Sequence, residues 1–136
     1  MDDVSARVQA HHDQISTLCD MVQDFARAAG FDPSAAYACS LAAVEACENI
    51  LRHGYGKETD SPIVLTLSLK ESGSLVIRLV DEAPPFNASL KPEQIPWTDE
   101  DPPVGGLGLH IIHKVMDDIR YRRDRNSNIL EMTIDP

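Results

Sequence analysis

The succession of hydrophobic patterns along the chain predicts an α+β domain. It reads as a two-layer sandwich whose mixed, mostly antiparallel sheet carries its helices on one face. Three observations lead there. Residues 63–69 and 75–80 alternate apolar and polar side chains around the polar turn Glu71-Ser72-Gly73-Ser74, the pattern of a β-hairpin. Residues 118–122 and 129–134 repeat that pattern as a second hairpin. The resulting order, β-α-α-β-β-loop-α-β-β, lacks the regular strand–helix–strand alternation of a parallel sheet. A length of 136 residues suits one domain over 1–136. With 43% hydrophobic but only 5% aromatic residues, the core is expected to rest on Leu, Ile, Val, Ala and Met.

Taken in order, residues 4–8 alternate as a short first strand. Ile15, Leu18, Met21, Val22 and Phe25 recur at helical spacing, and Gly30 is a fitting stop. Asp32 as N-cap and Pro33 at the first helical position open a second helix. It is expected to run to about Gly54, with Tyr37, Leu41, Val44 and Leu51 as its apolar face and Glu45 and Asn49 at the edge of that face. Residues 83–104 carry Pro84, Pro85, Pro92, Pro96, Pro102 and Pro103 and little periodicity. A loop this long in a compact domain is usually functional, here in the manner of a lid. Residues 106–117 read as a third helix, with Leu109, Ile112, Val115 and Met116 apolar.

Charge and composition narrow the function. A net charge of −10 argues against nucleic acid, whose phosphates such a surface repels. Arg120, Arg122, Arg123 and Arg125 alternate as an exposed strand face rather than a groove. No apolar run approaches the roughly 20 residues of a membrane span, and the first residues lack a signal-peptide pattern. A cytoplasmic location is expected. Cys19, Cys39 and Cys47 have no CxxC spacing and read as reduced, packed thiols; His110 and His113 have no companion ligands that would suggest zinc. His11-His12 read as a solvated connection. An anionic ligand would need local neutralisation, by a metal ion or by backbone N–H groups.

Three segments carry chemistry. In a helix, Glu45, Asn49 and His53 share one stripe, at i, i+4 and i+8 on a period of about 3.6 residues. A carboxylate there can orient or deprotonate a hydroxyl, and an amide oxygen one turn on can hold a hard cation. His53 can touch a ligand or simply interact with the helix dipole. Asp81 ends an apolar strand at the mouth of the proline-rich loop; it can accept a hydrogen bond from an exocyclic amine such as adenine's, or it can cap a turn. Gly105-Gly106-Leu107-Gly108-Leu109 feeds into a helix, so backbone N–H groups can converge on an anion there, or the glycines can form a hinge. The cluster lacks the Gly-Lys-Ser/Thr ending of a Walker A loop and the preceding strand of a dinucleotide fingerprint.

In order and spacing these segments resemble the N, G1 and G2 boxes of the GHKL (Bergerat-fold) ATP-binding superfamily. The similarity is greatest to its branch of anti-sigma factor serine/threonine kinases, which share a histidine-kinase-like ATPase domain. The branch's Glu-Ala-x-x-Asn-x-x-x-His-Gly-Tyr is matched by residues 45–55, and its Gly-Gly-x-Gly-Leu box, followed by an apolar helix ending in Met-Asp, by Gly105 to Leu109 and Met116-Asp117. The resemblance implies that Glu45 is a general base, that Asn49 ligates Mg²⁺ on the phosphates of ATP, and that Asp81 binds the adenine amino group. It also implies that Gly105, Gly106 and Gly108 bind phosphate, with Leu107 and Leu109 beside them. Asn128 stands where relatives carry a hydroxyl or amide near adenine. It implies, further, an anti-anti-sigma (STAS-type) partner phosphorylated on Ser or Thr, a competing sigma-factor client, and a homodimer.

Two positions depart from the family pattern. Ala83 replaces the glycine expected two residues after Asp81, where a methyl would lie close to the purine and a positive φ would be strained. The lid segment has Lys91 as its sole basic residue beside Glu93, Asp99, Glu100 and Asp101, whereas phosphoryl transfer commonly uses a cation. Arg52, Lys91 or a partner would have to supply it. Trp97 in that loop would contact a partner or plug the pocket. The alternatives to a kinase are a nucleotide-gated partner-binding module and an ATP hydrolase that phosphorylates no protein.

Overall fold

The computed structural model describes residues 1–87 and 104–136, and the side chains of all of these except 104–109. The expected positions Lys91, Glu93, Trp97, Asp99, Glu100 and Asp101, with most of the lid, lie outside the described residues.

Five strands form one sheet: β1 (Val4–Ala10), β2 (Thr59–Leu69), β3 (Leu75–Asp81), β4 (Asp118–Asp124) and β5 (Ser127–Ile134). Their spatial order is β1-β2-β3-β5-β4, and every neighbouring pair is antiparallel. The sheet among the described residues is therefore antiparallel throughout rather than mixed. Both expected hairpins are present, and the β2–β3 turn places Gly73 at φ 90.

Alternation decides which side chains meet the helices. Ile63, Leu65 and Leu67 of β2, Leu75, Ile77 and Leu79 of β3, and Leu130 and Met132 of β5 are buried in the core. The intervening positions form the other face, where Ser5 bonds Thr66 at 2.9 Å, Arg78 pairs with Glu131 at 2.8 Å and Arg120 pairs with Asp118 at 2.7 Å. Strand β4 is an edge, with Asp118, Arg120, Arg122 and Asp124 exposed.

The helices are α1 (His12–Ser16), α2 (Leu18–Ala28), α3 (Pro33–Asn49) and α4 (Val104–Val115). The sequence suggests one helix from Ile15 onward; the structure divides it at Thr17, whose hydroxyl donates to the Gln14 carbonyl at 2.6 Å. Such local side-chain bonds compete with the helical ladder. The His11-His12 pair is anchored rather than merely solvated: His11 Nε2 lies 2.9 Å from Asp60 Oδ1, and His12 Nδ1 lies 2.7 Å from Glu48 Oε2.

Helix α3 begins as expected, with the Asp32 carboxylate accepting from the Ala35 N–H at 2.7 Å and Pro33 at N1. Its inward face, however, differs from the expected one. Tyr37 is 56% exposed and Leu41 and Val44 only half-buried, while Ala36, Cys39, Ala42, Ala43, Ala46 and Cys47 are fully buried. The helix packs between α2 and α4 over the sheet. Small side chains let neighbouring backbones approach there, so size is a poor guide to which residues face inward.

From Ile50 the helix widens into a π-helical turn, Ile50–Tyr55, closed by Gly56 at φ 84 with its N–H on the Leu51 carbonyl at 2.8 Å. Burial pushes the Cys39 thiol up to about 11, and raises that of Cys47 further with help from the nearby Glu48 and Asp81 carboxylates. Thiolates are the reactive species. Native protein treated with a thiol reagent at pH 8 should therefore label at half-buried Cys19 alone, and at all three cysteines once denatured. Rapid native labelling of Cys39 or Cys47, read by peptide mass spectrometry, would contradict this packing.

Candidate functional site

One half of the site comes from α3. Asn49 is fully buried, and among the described residues neither its Nδ2 nor its Oδ1 has a hydrogen-bond partner. An orphaned buried amide costs about 1–3 kcal/mol, so a partner beyond the described residues would stabilise this side chain. Glu45 lies one turn earlier, half-buried, and no hydrogen bond or ion pair ties its carboxylate among the described residues. The third member of the expected stripe leaves it. The π turn has more residues per turn than an α-helix, and it carries His53 outward, where the exposed ring stacks on Phe86 at 5.5 Å between centroids.

The other half comes from the sheet. Strand register aligns Ile63, Asp81, Asn128 and Arg123 in one row across β2, β3, β5 and β4. Asp81 continues the Leu75, Ile77, Leu79 side of β3 and so faces the helix layer; it is 4% exposed. Its Oδ1 accepts from the Ala83 N–H at 2.9 Å and from Asn128 Nδ2 at 2.9 Å. Oδ2 accepts no hydrogen bond among the described residues. Burial raises the Asp81 pKa above the usual carboxylate range, opposed by the bonds from Asn128 and Ala83 and by the positive charge of Arg123.

Asn128 is fully used within the protein. Its Nδ2 also reaches the carbonyls of Ala83 and Pro84, each at 3.1 Å. Its Oδ1 accepts from the Tyr121 hydroxyl at 2.6 Å and from Arg123 Nη1 at 3.1 Å. The same Arg123 nitrogen donates to the Ala83 carbonyl at 2.7 Å.

Ala83 adapts to its position more easily than its departure from the family pattern suggests. Its φ is not positive, Arg125 being the one non-glycine with positive φ among the described residues. Its methyl is 1% exposed and packs onto Gly54, where a built Cβ would lie 3.1 Å from it. Tyr55 then joins the two halves: its hydroxyl donates to the Pro62 carbonyl at 2.8 Å and accepts from the Glu82 N–H at 2.9 Å.

The glycine cluster lies within α4 rather than ahead of it, because the helix starts at Val104, two residues before the expected start. Gly105, Gly106, Leu107, Gly108 and Leu109 thus form its first turns. Glycine is a poor helix former, but the first N–H groups of a helix have no acceptor within it and remain open to an anion.

A family model described as the histidine kinase-like ATPase domain matches residues 8–134. The chain belongs to the histidine kinase-like ATPase domain family. Relatives named serine-protein kinase RsbW include those of Bacillus mycoides (strain KBAB4), 37% identical over 95 residues, and Bacillus cereus (strain G9842), 36% identical over the same length. Each alignment covers 66% of this chain and 58% of the relative, so the chain spans under two thirds of the relatives it matches. Among solved structures, the RsbU and RsbW domains of Rv1364c from Mycobacterium tuberculosis superpose with a TM-score of 0.68 at 16% identity, over 98% of this chain and 32% of that one. The histidine kinase domain of the Erythrobacter litoralis EL346 blue-light activated histidine kinase superposes at 0.55, with 12% identity over 93% of this chain and 61% of that one. These similarities support the α+β fold of a histidine kinase-like ATPase domain.

Within this histidine kinase-like ATPase domain, sequence patterns alone passed over Arg123, Tyr121 and Tyr55. The signal for Arg123 was available. Arg120 and Arg122 occupy one face of β4, so period-2 alternation puts Arg123 on the other, beside Asn128.

Two outcomes follow from this geometry. Gly54→Ala should destabilise the fold by about 1–3 kcal/mol through overpacking, and Ala83→Gly in the same chain should restore most of that loss in a denaturant titration. Equal losses in the single and double variants would show that the two positions do not share space. Asn49→Leu should raise the melting temperature of the nucleotide-free protein, as expected from removing an orphaned amide worth about 1–3 kcal/mol. It should also abolish stabilisation by added Mg-ATP. A lower melting temperature would show that the amide is already satisfied.

Proposed function

We propose that this histidine kinase-like ATPase domain binds Mg-ATP and transfers the γ-phosphate to a serine or threonine of an anti-anti-sigma partner, acting in the cytoplasm as a homodimer with a sigma factor as competing client. The observation that carries the reading is the pair on α3: among the described residues, a carboxylate free of internal partners one turn from an amide with none. Nucleotide binding and metal ligation alone have no use for the carboxylate. The names of the RsbW relatives agree with a serine kinase. No helix among the described residues is long and apolar enough to cross a membrane.

The residues fit a hard divalent cation at Asn49. Its Oδ1 is an uncharged oxygen donor without a partner among the described residues, and Mg²⁺ is commonly held by few protein oxygens together with phosphates and water. When bound, the ion would neutralise phosphate charge that a −10 surface otherwise repels. Asp81 would receive the adenine amino group on Oδ2. The open N–H groups at the start of α4, in Gly105, Gly106 and Leu107, would receive phosphate oxygens. Gly108 and Leu109 continue that turn. His53, on the opposite rim, would cover the nucleotide together with Phe86.

Glu45 would accept the proton of the attacking hydroxyl as its oxygen forms a bond to the γ-phosphorus. The bond from that phosphorus to the β–γ bridging oxygen breaks, and ADP departs with the electron pair. Arg52, considered above as a cation for the transfer, lies 4.0 Å from Glu48, a loose pairing that leaves it available.

Incubation with Mg-ATP and a STAS-type partner, followed by phosphoprotein mass spectrometry, should show one phosphorylated Ser or Thr on the partner. Glu45→Ala should slow this on the order of a hundredfold or more while retaining ATP binding. Asn49→Ala should lose Mg-ATP binding itself. Tight ATP binding with no phosphorylated partner would replace the kinase with a nucleotide-gated binding module; release of inorganic phosphate without a phosphoprotein would indicate a hydrolase.

A further inference from the structure

We infer that Arg123, acting through Asn128, is a positioning residue that fixes the Asp81 carboxylate for reading the 6-amino group of the purine, and that Asn128 itself does not touch the base. This rests on the Asp81–adenine contact proposed above.

The geometry leaves Asn128 nothing to offer a ligand. Its two amide hydrogens already have three acceptors within 3.1 Å, in Asp81 Oδ1, Ala83 O and Pro84 O. Its Oδ1 already takes two donors, the Tyr121 hydroxyl and Arg123 Nη1. An amide flip is excluded for the same reason, since it would set NH₂ against two donors and oxygen against three acceptors. A fixed amide fixes what it binds. Asp81 is held by two bonds on Oδ1, and its Oδ2 is thereby aimed rather than free to rotate.

Arg123 anchors the far end of this chain. It leaves the row of exposed β4 charges because strand alternation turns it to the Asn128 side, and its guanidinium spans Asn128 Oδ1 and the Ala83 carbonyl. Nε meanwhile donates to the Arg125 carbonyl at 3.1 Å, which ties the guanidinium to the β4–β5 turn. A guanidinium can satisfy several acceptors in one plane, which an ammonium cannot.

The electrostatics run the same way. The groups near Asp81 are Tyr55 from the π turn, Cys47 from α3 and Glu82 from the chain just beyond β3. None of them supplies positive charge, and among the described residues Arg123 is the cation that favours the ionised carboxylate. An ionised Oδ2 accepts a hydrogen bond from a 6-amino group but repels the 6-oxo group of inosine. The network therefore selects between two purines that present the same phosphates.

The test compares affinity for Mg-ATP and for the inosine analogue Mg-ITP by calorimetry, in wild type, Asp81→Asn, Arg123→Ala, Arg123→Lys and Tyr121→Phe. Wild type should favour ATP, and Asp81→Asn should erase the preference. Arg123→Ala should cut the ATP/ITP ratio by about tenfold or more, as expected for losing a charged hydrogen-bond anchor, while affinity for ITP changes little. Arg123→Lys should recover part of the ratio and Tyr121→Phe should reduce it mildly. A structural role alone would lower both affinities together, so an unchanged ratio in Arg123→Ala overturns the inference. If wild type shows no preference, or Asp81→Asn keeps it, the Asp81–adenine reading itself fails. Melting curves should show that substitution at the exposed Arg123 leaves the fold intact.

Discussion

The candidate site depends on a buried amide that none of the described residues satisfies. Asn49 is buried by the packing of α3 between α2, α4 and the sheet, and that packing is possible because α3 presents alanine and cysteine on its inward side. A helix bearing leucines at those positions would stand farther from its neighbours and let water reach the amide. The close approach leaves Asn49 fully buried and unpaired among the described residues, and under the proposed function a bound cation would supply its partner. Binding would then recover free energy that folding leaves unspent. This is a common arrangement in functional sites, where local stability is surrendered for affinity.

The two halves of the site obey different rules, and this shows in how legible each was. Both hairpins, the Asp32 cap, the Pro33 start and the Gly30 stop follow from local chemistry, and all are present. So is Asp81 at a strand end on the helix side, because alternation over Leu75, Ile77 and Leu79 extends to it. Helix α3 was harder. Ranking residues by size chose Tyr37, Leu41 and Val44 as the inward face, whereas interhelical distance favours the small ones. The π turn is less legible still: nothing local in Ile50-Leu51-Arg52-His53 demands it, and it is tertiary packing that buries Ile50 and Leu51 together. Its effect is to separate His53 from Asn49, which an ideal helix would have stacked.

Resemblance and pattern also divided the labour. Pattern placed Glu45 and Asn49 together; only resemblance suggested Asn128, and the cross-strand pairing of Asp81 with Asn128 explains why that position matters. Arg123 was visible to neither, having been grouped with arginines that face the opposite way. The substitution at Ala83 looked costly because a methyl was imagined against a ligand. In the structure it is set against Gly54, a glycine of the neighbouring turn, so the absence of one side chain accommodates the presence of another.

Strand β4 has a second consequence, for behaviour in a crowded solution. It is an edge strand, and unpaired edges invite other chains to extend the sheet. Here Asp118, Arg120, Arg122 and Asp124 crowd that edge with charges of both signs, and any strand docking alongside would have to match or bury them. The seven residues of β4 thus discourage lateral growth with one set of side chains while Tyr121 and Arg123, interleaved among them, brace Asn128 beside Asp81. Resistance to sheet extension and the bracing of a buried carboxylate fall to alternate positions of the same strand.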